Sequence, residues 1–192
     1  MKWMIASDVH GSAHYCDLML KAYEKESAQG LILLGDLLYH GPRNDLPRNY
    51  NPKAVLAMLN DFSQRPDVRL FCVRGNCDAE VDQMVLNFPI MATYAVLSAG
   101  RRLIFLTHGH VLSEQNPPKL SCGDILLQGH THIPTCSLKS DIYYLNPGSV
   151  SIPKNNTWHG YMIMEISQTT LKIKWADLEG QDVALKSLEL TI

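Results

Sequence analysis

Five short segments rich in metal-binding side chains each sit just past an apolar run of strand length. They are Asp8-Val9-His10, Gly35-Asp36, Gly75-Asn76-Cys77-Asp78, His108-Gly109-His110 and Gly129-His130-Thr131-His132. The runs ahead of them are Trp3 to Ala6, Leu31 to Leu34, Val68 to Val73, Arg101 to Thr107 and Ile125 to Gln128. Leu31 to Leu34 is apolar at every position, the pattern of a strand buried on both faces. Open α/β sheets gather such strand-end side chains in one crevice, where their ligands bind. Two Asp, one Asn and four His are hard or borderline donors and suit a pair of divalent cations. Hydrolysis is the chemistry such a set serves most directly. Each segment alone is weak. Asp-x-His also arises as a turn carboxylate beside a surface histidine, and Gly35-Asp36 as a helix cap. Five in sequence order, each behind an apolar strand, point to one site. In an extended chain side chains alternate with period two, so Asp8 and His10 are expected on one side, as are His130 and His132.

Between these strands the first half of the chain carries helical spacing. Ser12 to Gln29 repeats apolar side chains (Cys16, Leu18 to Leu20, Tyr23) at that spacing, and Gly30 is expected to close the helix. Strand, helix and strand then make a right-handed βαβ unit. A loop from Tyr39 to Asn51 follows, and Pro52 opens a second helix running to Ser63. Beyond residue 90 the pattern turns to strands. Met91 to Ser98 and Arg101 to Thr107 read as a hairpin joined at Ala99-Gly100. Further strands are expected at Thr135 to Leu138, Ile142 to Leu145, Gly160 to Ile166, Leu171 to Trp175 and Val183 to Leu190. The expectation is two packed sheets with helices outside, forming one domain over residues 1–192.

Composition narrows the function classes. With 46% apolar and 19% charged residues the chain is an ordinary globular protein. A net charge of -2 gives no broad basic surface, so nucleic acid is not favoured as a bulk partner. Five cysteines, an odd number without C-x-x-C spacing, argue against a disulfide framework or zinc knuckle and for a reducing cytoplasm. Met1 to Ile5 is too short for a signal peptide, and no run reaches the length of a membrane span.

The order D-x-H, G-D, G-N-x-D, H-G-H, G-H-T-H resembles the calcineurin-like metallophosphoesterase superfamily. Arg74-Gly-Asn-Cys-Asp78, His40-Gly-Pro-Arg43-Asn44 and Asn146-Pro-Gly-Ser149 are similar to its compact bacterial branch, the YfcE-type phosphodiesterases. The likeness spans Met1 to about Lys154. It implies a four-layer α-β-β-α sandwich, two mixed sheets flanked by helices. It also implies that Asp8, His10 and His132 hold one metal, that Asn76, His108 and His130 hold the other, and that Asp36 bridges them. A hydroxide shared by the metals would then attack the phosphorus of a small phosphodiester in line. Manganese is the favoured metal by resemblance, although carboxylate, amide and imidazole ligands also accept iron, zinc, nickel or cobalt.

One departure matters. Many members of the wider superfamily carry a histidine where this chain has Cys77, and that histidine is read as the general acid, oriented by the aspartate that is Asp78 here. General acid catalysis is worth on the order of a hundred to ten thousand-fold. Its loss predicts weaker catalysis and a preference for activated diesters, with Cys77 a poorer proton donor. It also keeps a second reading alive, since the eukaryotic retromer subunit shares the fold, lacks that histidine and serves as a binding scaffold. Here every metal-ligand position is filled, which favours the enzyme. Arg74, His110 and His40 are the substrate-binding candidates, with Arg43 in the same loop as His40. Arg74 has an ion pair as its competing role, and His110 a solvated loop. The loop 39–51 and the segment around Met84, Leu86 and Phe88 are the candidates for a contact between copies of the chain.

Overall fold

Two mixed β-sheets pack face to face in the computed structural model, which describes residues 1–181, 183, 185 and 187–192. In chain order the elements are β1 (Lys2–Ala6), α1 (Ala13–Lys25), β2 (Gly30–Leu33), α2 (Pro52–Ser63), β3 (Arg69–Cys72) and α3 (Glu80–Val85). Then come β4 (Tyr94–Ala99), β5 (Arg102–Thr107), β6 (Ile125–Leu127), β7 (Thr135–Lys139) and β8 (Ile142–Asn146). The last three are β9 (Gly160–Ile166), β10 (Thr170–Asp177) and β11 (Leu188–Thr191). The expected strand from Val183 to Leu190 is therefore found only as β11, and residues 182, 184 and 186 of that expectation lie outside the described residues.

The first sheet has the order β11-β10-β9-β1-β2-β3. β1, β2 and β3 run parallel, as a strand-helix-strand reading requires, and β9 adds antiparallel to the other edge of β1. The second sheet has the order β4-β5-β6-β8-β7, with β4 and β5 forming the expected antiparallel hairpin. Period-two alternation splits β1 between two cores. Trp3 and Ile5 face the layer between the sheets with Ile32, Leu106, Leu127 and Trp175. Met4 and Ala6 face the helices with Leu31, Leu33, Met19 and Leu59. Burying each large aliphatic side chain is worth about 1.5–3 kcal/mol, so the central strands are the firm base of the molecule.

The helices obey their local signals. The Ser12 side chain caps α1 by accepting from the Tyr15 N–H, and Asn51 caps α2 ahead of Pro52. Gly30 does not close α1 as expected. The helix ends at Lys25 with Glu26 as its cap, and Ser27 turns left-handed at φ 51°, while Gly30 starts β2, where a side chain would run into the Trp3 ring. Helix α3 gave no sequence signal, being one and a half turns with no buried residue. All three helices lie before β4. The cores show α1 and α2 covering the first sheet, and among the described residues no helix covers the outer face of the second. On that face Tyr94, Val96 and Leu103 are 53%, 40% and 41% exposed. The segment 108–124, without helix or strand, is tied to the second sheet by the Glu114 N–H donating to Gln128 and by the Glu114–Lys139 ion pair. No helix among the described residues is long and apolar enough to cross a membrane.

Candidate metal centre

The loops that leave β1, β2, β3, β5 and β6 meet at one end of the sandwich. The loop after β1 keeps pairing with the loop after β2: the N–H groups of Asp8, His10 and Gly11 donate to the carbonyls of Gly35, Asp36 and Leu37 at 3.1, 2.9 and 2.9 Å. The expectation of an extended Asp8-x-His10 is corrected here. β1 ends at Ala6, and Asp8 and His10 have φ of 60° and 49°. Asp36, His130 and His132 share this left-handed conformation, with φ of 57°, 66° and 60°. Five of the seven expected ligands thus sit in a backbone region that costs an L-residue about 1–2 kcal/mol. Such strain clusters at functional sites, where surrounding bonds hold it. The left-handed turns, rather than strand alternation, aim these side chains inward.

The donors converge. Nδ1 of His10, His108 and His132 contacts the carbonyls of Tyr39, Leu34 and Ile152 at 2.7, 2.6 and 2.6 Å. A carbonyl only accepts, so each Nδ1 carries the proton and each Nε2 points inward. His10 Nε2 and His132 Nε2 face each other at 3.2 Å, and Asp8 Oδ1 is buried without a hydrogen-bond donor. Neutral imidazoles would set two lone pairs against each other there, a repulsion that a cation between them removes. His132 Nε2 lies 3.2 Å and His10 Nε2 3.6 Å from Asp8 Oδ1. His108 Nε2 lies 3.1 Å from Asn76 Oδ1 and 3.3 Å from Asp36 Oδ2. The same Asp36 oxygen is 3.6 Å from His10 Nε2, so it stands between the two groups. Two donors each about 2.1 Å from one cation at 90–110° are about 3.0–3.4 Å apart, close to these separations. The residues therefore fit divalent metal. His130 stands beside this group, its ring centre 5.0 Å from that of His108.

Charge inside the site favours cations. Burial alone would raise Asp8, but the close imidazoles of His10 and His132 and the charge of His108 hold it well below the usual carboxylate range. Burial would lower His108, yet its bond to Asp36 and the charges of Asp8 and Asp36 hold it at about 9. His130 is lowered by burial and by His108.

Asp78 is not where its expected catalytic role would put it. It is buried, and its carboxylate accepts from the N–H groups of Asp36, Gly75 and Leu37 at 2.9, 2.7 and 2.9 Å. It staples the Gly35-Asp36 loop to the Gly75-Asn76 loop and does not orient Cys77. Gly75 is required at this junction, because a Cβ there would collide with Asp36. Asn146-Pro147-Gly148-Ser149 plays a similar part from β8. The Asn146 amide donates to the Gly129 carbonyl at 2.7 Å, and the hydroxyls of Ser149 and Ser151 donate to the Asp8 carbonyl at 2.9 and 3.0 Å.

A cavity of about 330 Å³ opens above the ligands, lined by His10, Asp36, Asn76, Cys77, His130 and His132 together with Pro42, Arg43, Asn44 and Lys154. Cys77 is thus at the site; burial and Asp36 push its thiol up to about 12. The other substrate-binding candidates are elsewhere. His40 packs against Tyr39 and Tyr50 and does not line this cavity. Arg74 pairs with Glu80 at 3.4 Å, the competing role named for it, and donates to the Asp78 carbonyl at 3.1 Å. Arg74 and His110 line a neighbouring depression that shares Asn76 with the main cavity. Lys154 had no sequence signal beyond its charge. Of the apolar 80s segment, Leu86 and Phe88 are core, whereas Met84 is 83% exposed.

Two stacked mixed sheets carrying carboxylate, amide and imidazole donors at their strand ends define a metallophosphoesterase type of protein. The chain belongs to the calcineurin-like phosphoesterase superfamily, whose domain model matches residues 1–169. It is 44% identical over 165 residues to phosphodiesterase YfcE of Escherichia coli (strain K12), covering 86% of this chain and 88% of that protein. The solved structure of YfcE, described as a phosphoesterase from E. coli, superposes with a TM-score of 0.87 at 40% identity over 98% of both chains. Vps29 from Entamoeba histolytica, solved with Zn2+, shares the fold at a TM-score of 0.60 and 20% identity, covering 100% of this chain and 99% of that one.

Proposed function

We propose that this chain hydrolyses small phosphodiesters at a pair of divalent cations, favouring manganese. That it is a phosphoric diester hydrolase of the metallophosphoesterase type follows from its family and from the likeness to YfcE. The carrying observation for the metal pair is the Asp36 oxygen that faces His10 on one side and His108 on the other. Asp8, His10 and His132 would hold one cation, and Asn76, His108 and His130 the other, with Asp36 between them. When bound, the cations supply charge for the phosphoryl oxygens and an activated, shared water. In the hydrolysis the water oxygen bonds to phosphorus, the ester P–O bond breaks, and the departing oxygen takes a proton.

The chain's own residues do the positioning. The three backbone carbonyls fix the imidazole tautomers, and Asp78 holds the bridging carboxylate through its backbone. Cys77 keeps its proton at neutral pH beside the leaving-group space, a weak acid for that step. Activated esters should therefore react best. Five free cysteines support a cytoplasmic setting. Exposed Tyr39, Leu46, Val81 and Met84 support self-association through the loop 39–51 and α3.

The test is hydrolysis of bis-(p-nitrophenyl) phosphate by metal-stripped protein, with and without manganese, beside Asp36→Asn and His108→Ala. Activity should need the metal and collapse in both variants. The scaffold reading has its own observation, the exposed Tyr94, Val96 and Leu103 on the outer sheet face. It predicts no metal uptake by calorimetry.

A further inference from the structure

The cavity above the metal ligands holds two cations that the hydrolytic step does not need. Arg43 and Lys154 line it from different loops. Both are exposed, and among the described residues neither has a carboxylate partner, unlike Arg74, Lys139, Lys172 and Lys174. Their backbones are pinned. The Asn44 amide donates to the His40 carbonyl at 2.8 Å, closing the turn around Arg43. The Lys154 N–H donates to the carbonyl of His132 at 3.2 Å, and its own carbonyl accepts from the Thr157 hydroxyl at 2.8 Å.

Among the described residues Asp36 is the one acidic side chain on the cavity wall, with Asp8 buried behind it. Two dications are already balanced by these carboxylates, an anionic nucleophile and the single charge of a phosphodiester. Arg43 and Lys154 are left over. Unpaired cations in a cleft raise the local concentration of anions, and arginine matches phosphate oxygens in a two-pronged fashion. A cavity of about 330 Å³ also has room beyond the reacting phosphoryl group.

We propose that the substrate is a phosphodiester bearing a second phosphate on one ester arm, and that Arg43 and Lys154 hold this second phosphate. This rests on the phosphodiesterase reading above. The test compares two chromogenic substrates that differ only in the second charge, thymidine 5′-(p-nitrophenyl phosphate) and its 3′-phosphorylated form, on manganese-loaded protein. The expected result is a kcat/KM about tenfold higher for the 3′-phosphorylated form at low salt, carried by KM and shrinking as salt screens it. In the Arg43→Ala/Lys154→Ala variant the ratio should fall toward one. A wild-type ratio near one, or a ratio that survives the double substitution, overturns the proposal. Binding of thymidine 3′,5′-bisphosphate against thymidine 5′-phosphate, read by calorimetry, asks the same question without turnover. A preference there with no hydrolysis of either ester would sink the phosphodiesterase reading and keep the second-anion site. Equal affinities would sink the site alone.

Discussion

Asp78→Asn removes one oxygen from a carboxylate that accepts three backbone N–H groups in the protein interior. Oδ2 serves Asp36 and Gly75, and Oδ1 serves Leu37. An asparagine keeps its oxygen on one side and turns an NH2 against an N–H on the other. The lost charge-assisted bond is worth about 1.5–3 kcal/mol, and the stranded amide about 1–3 kcal/mol. Against this, burial already raises the Asp78 pKa, so discarding the charge returns part of the loss. A net cost of about 2–4 kcal/mol remains, within the roughly 5–15 kcal/mol by which such proteins are stable. For a chain of this size that corresponds to a Tm lower by about 5–15 °C. Asp36, proposed to stand between the cations, loses its anchor as well, so manganese affinity should fall by about 10–100-fold, as for other groups that orient metal ligands. Thermal melts in chelator and calorimetric manganese titrations read the two effects separately. A Tm within about 2 °C of wild type together with unchanged affinity would refute the stapling role and return Asp78 to the leaving-group side of the site.

Three further predictions follow from the same geometry. His108 is held at about 9, above its unfolded value near 6.5, so its contribution, on the order of 3 kcal/mol, is fully present below pH ~6.5 and lost as pH rises through 9. The Tm of metal-free protein should therefore drop over that window. Manganese replaces the proton, so its affinity should rise over the same pH range with proton release; a pH-independent affinity contradicts this. Gly75→Ala pushes on Asp36 and should cost most of the manganese-dependent activity, checked on bis-(p-nitrophenyl) phosphate, with the fold retained by circular dichroism. Cys77→His should raise turnover of alkyl phosphodiesters more than of the p-nitrophenyl ester. No gain at all would argue that the position takes no part in proton transfer.

The donor-type residues past the strand ends and the strands behind them were readable because they are local facts. An apolar run specifies a strand, Pro52 specifies where α2 begins, and the ligand types specify the kind of ion. Asp78 shows the limit. Its neighbours in sequence suggested catalysis, whereas its bonds run to Asp36 and Leu37, brought beside it by the parallel pairing of β2 and β3. The left-handed backbone of Asp8 and His130 is likewise imposed from a distance, by the Ser149 and Ser151 hydroxyls on the Asp8 carbonyl and by Asn146 beside Gly129. Nor does the pattern of Gly160 to Ile166 say that it will pair with β1 rather than extend the second sheet. Sequence by itself determined the chemistry available and the elements that carry it, because spacing and residue type act on near neighbours. The tertiary structure decided which elements meet, and so placed Lys154 at the cavity and His40 outside it, because pairing across a fold is settled by shared burial and hydrogen bonding rather than by local pattern.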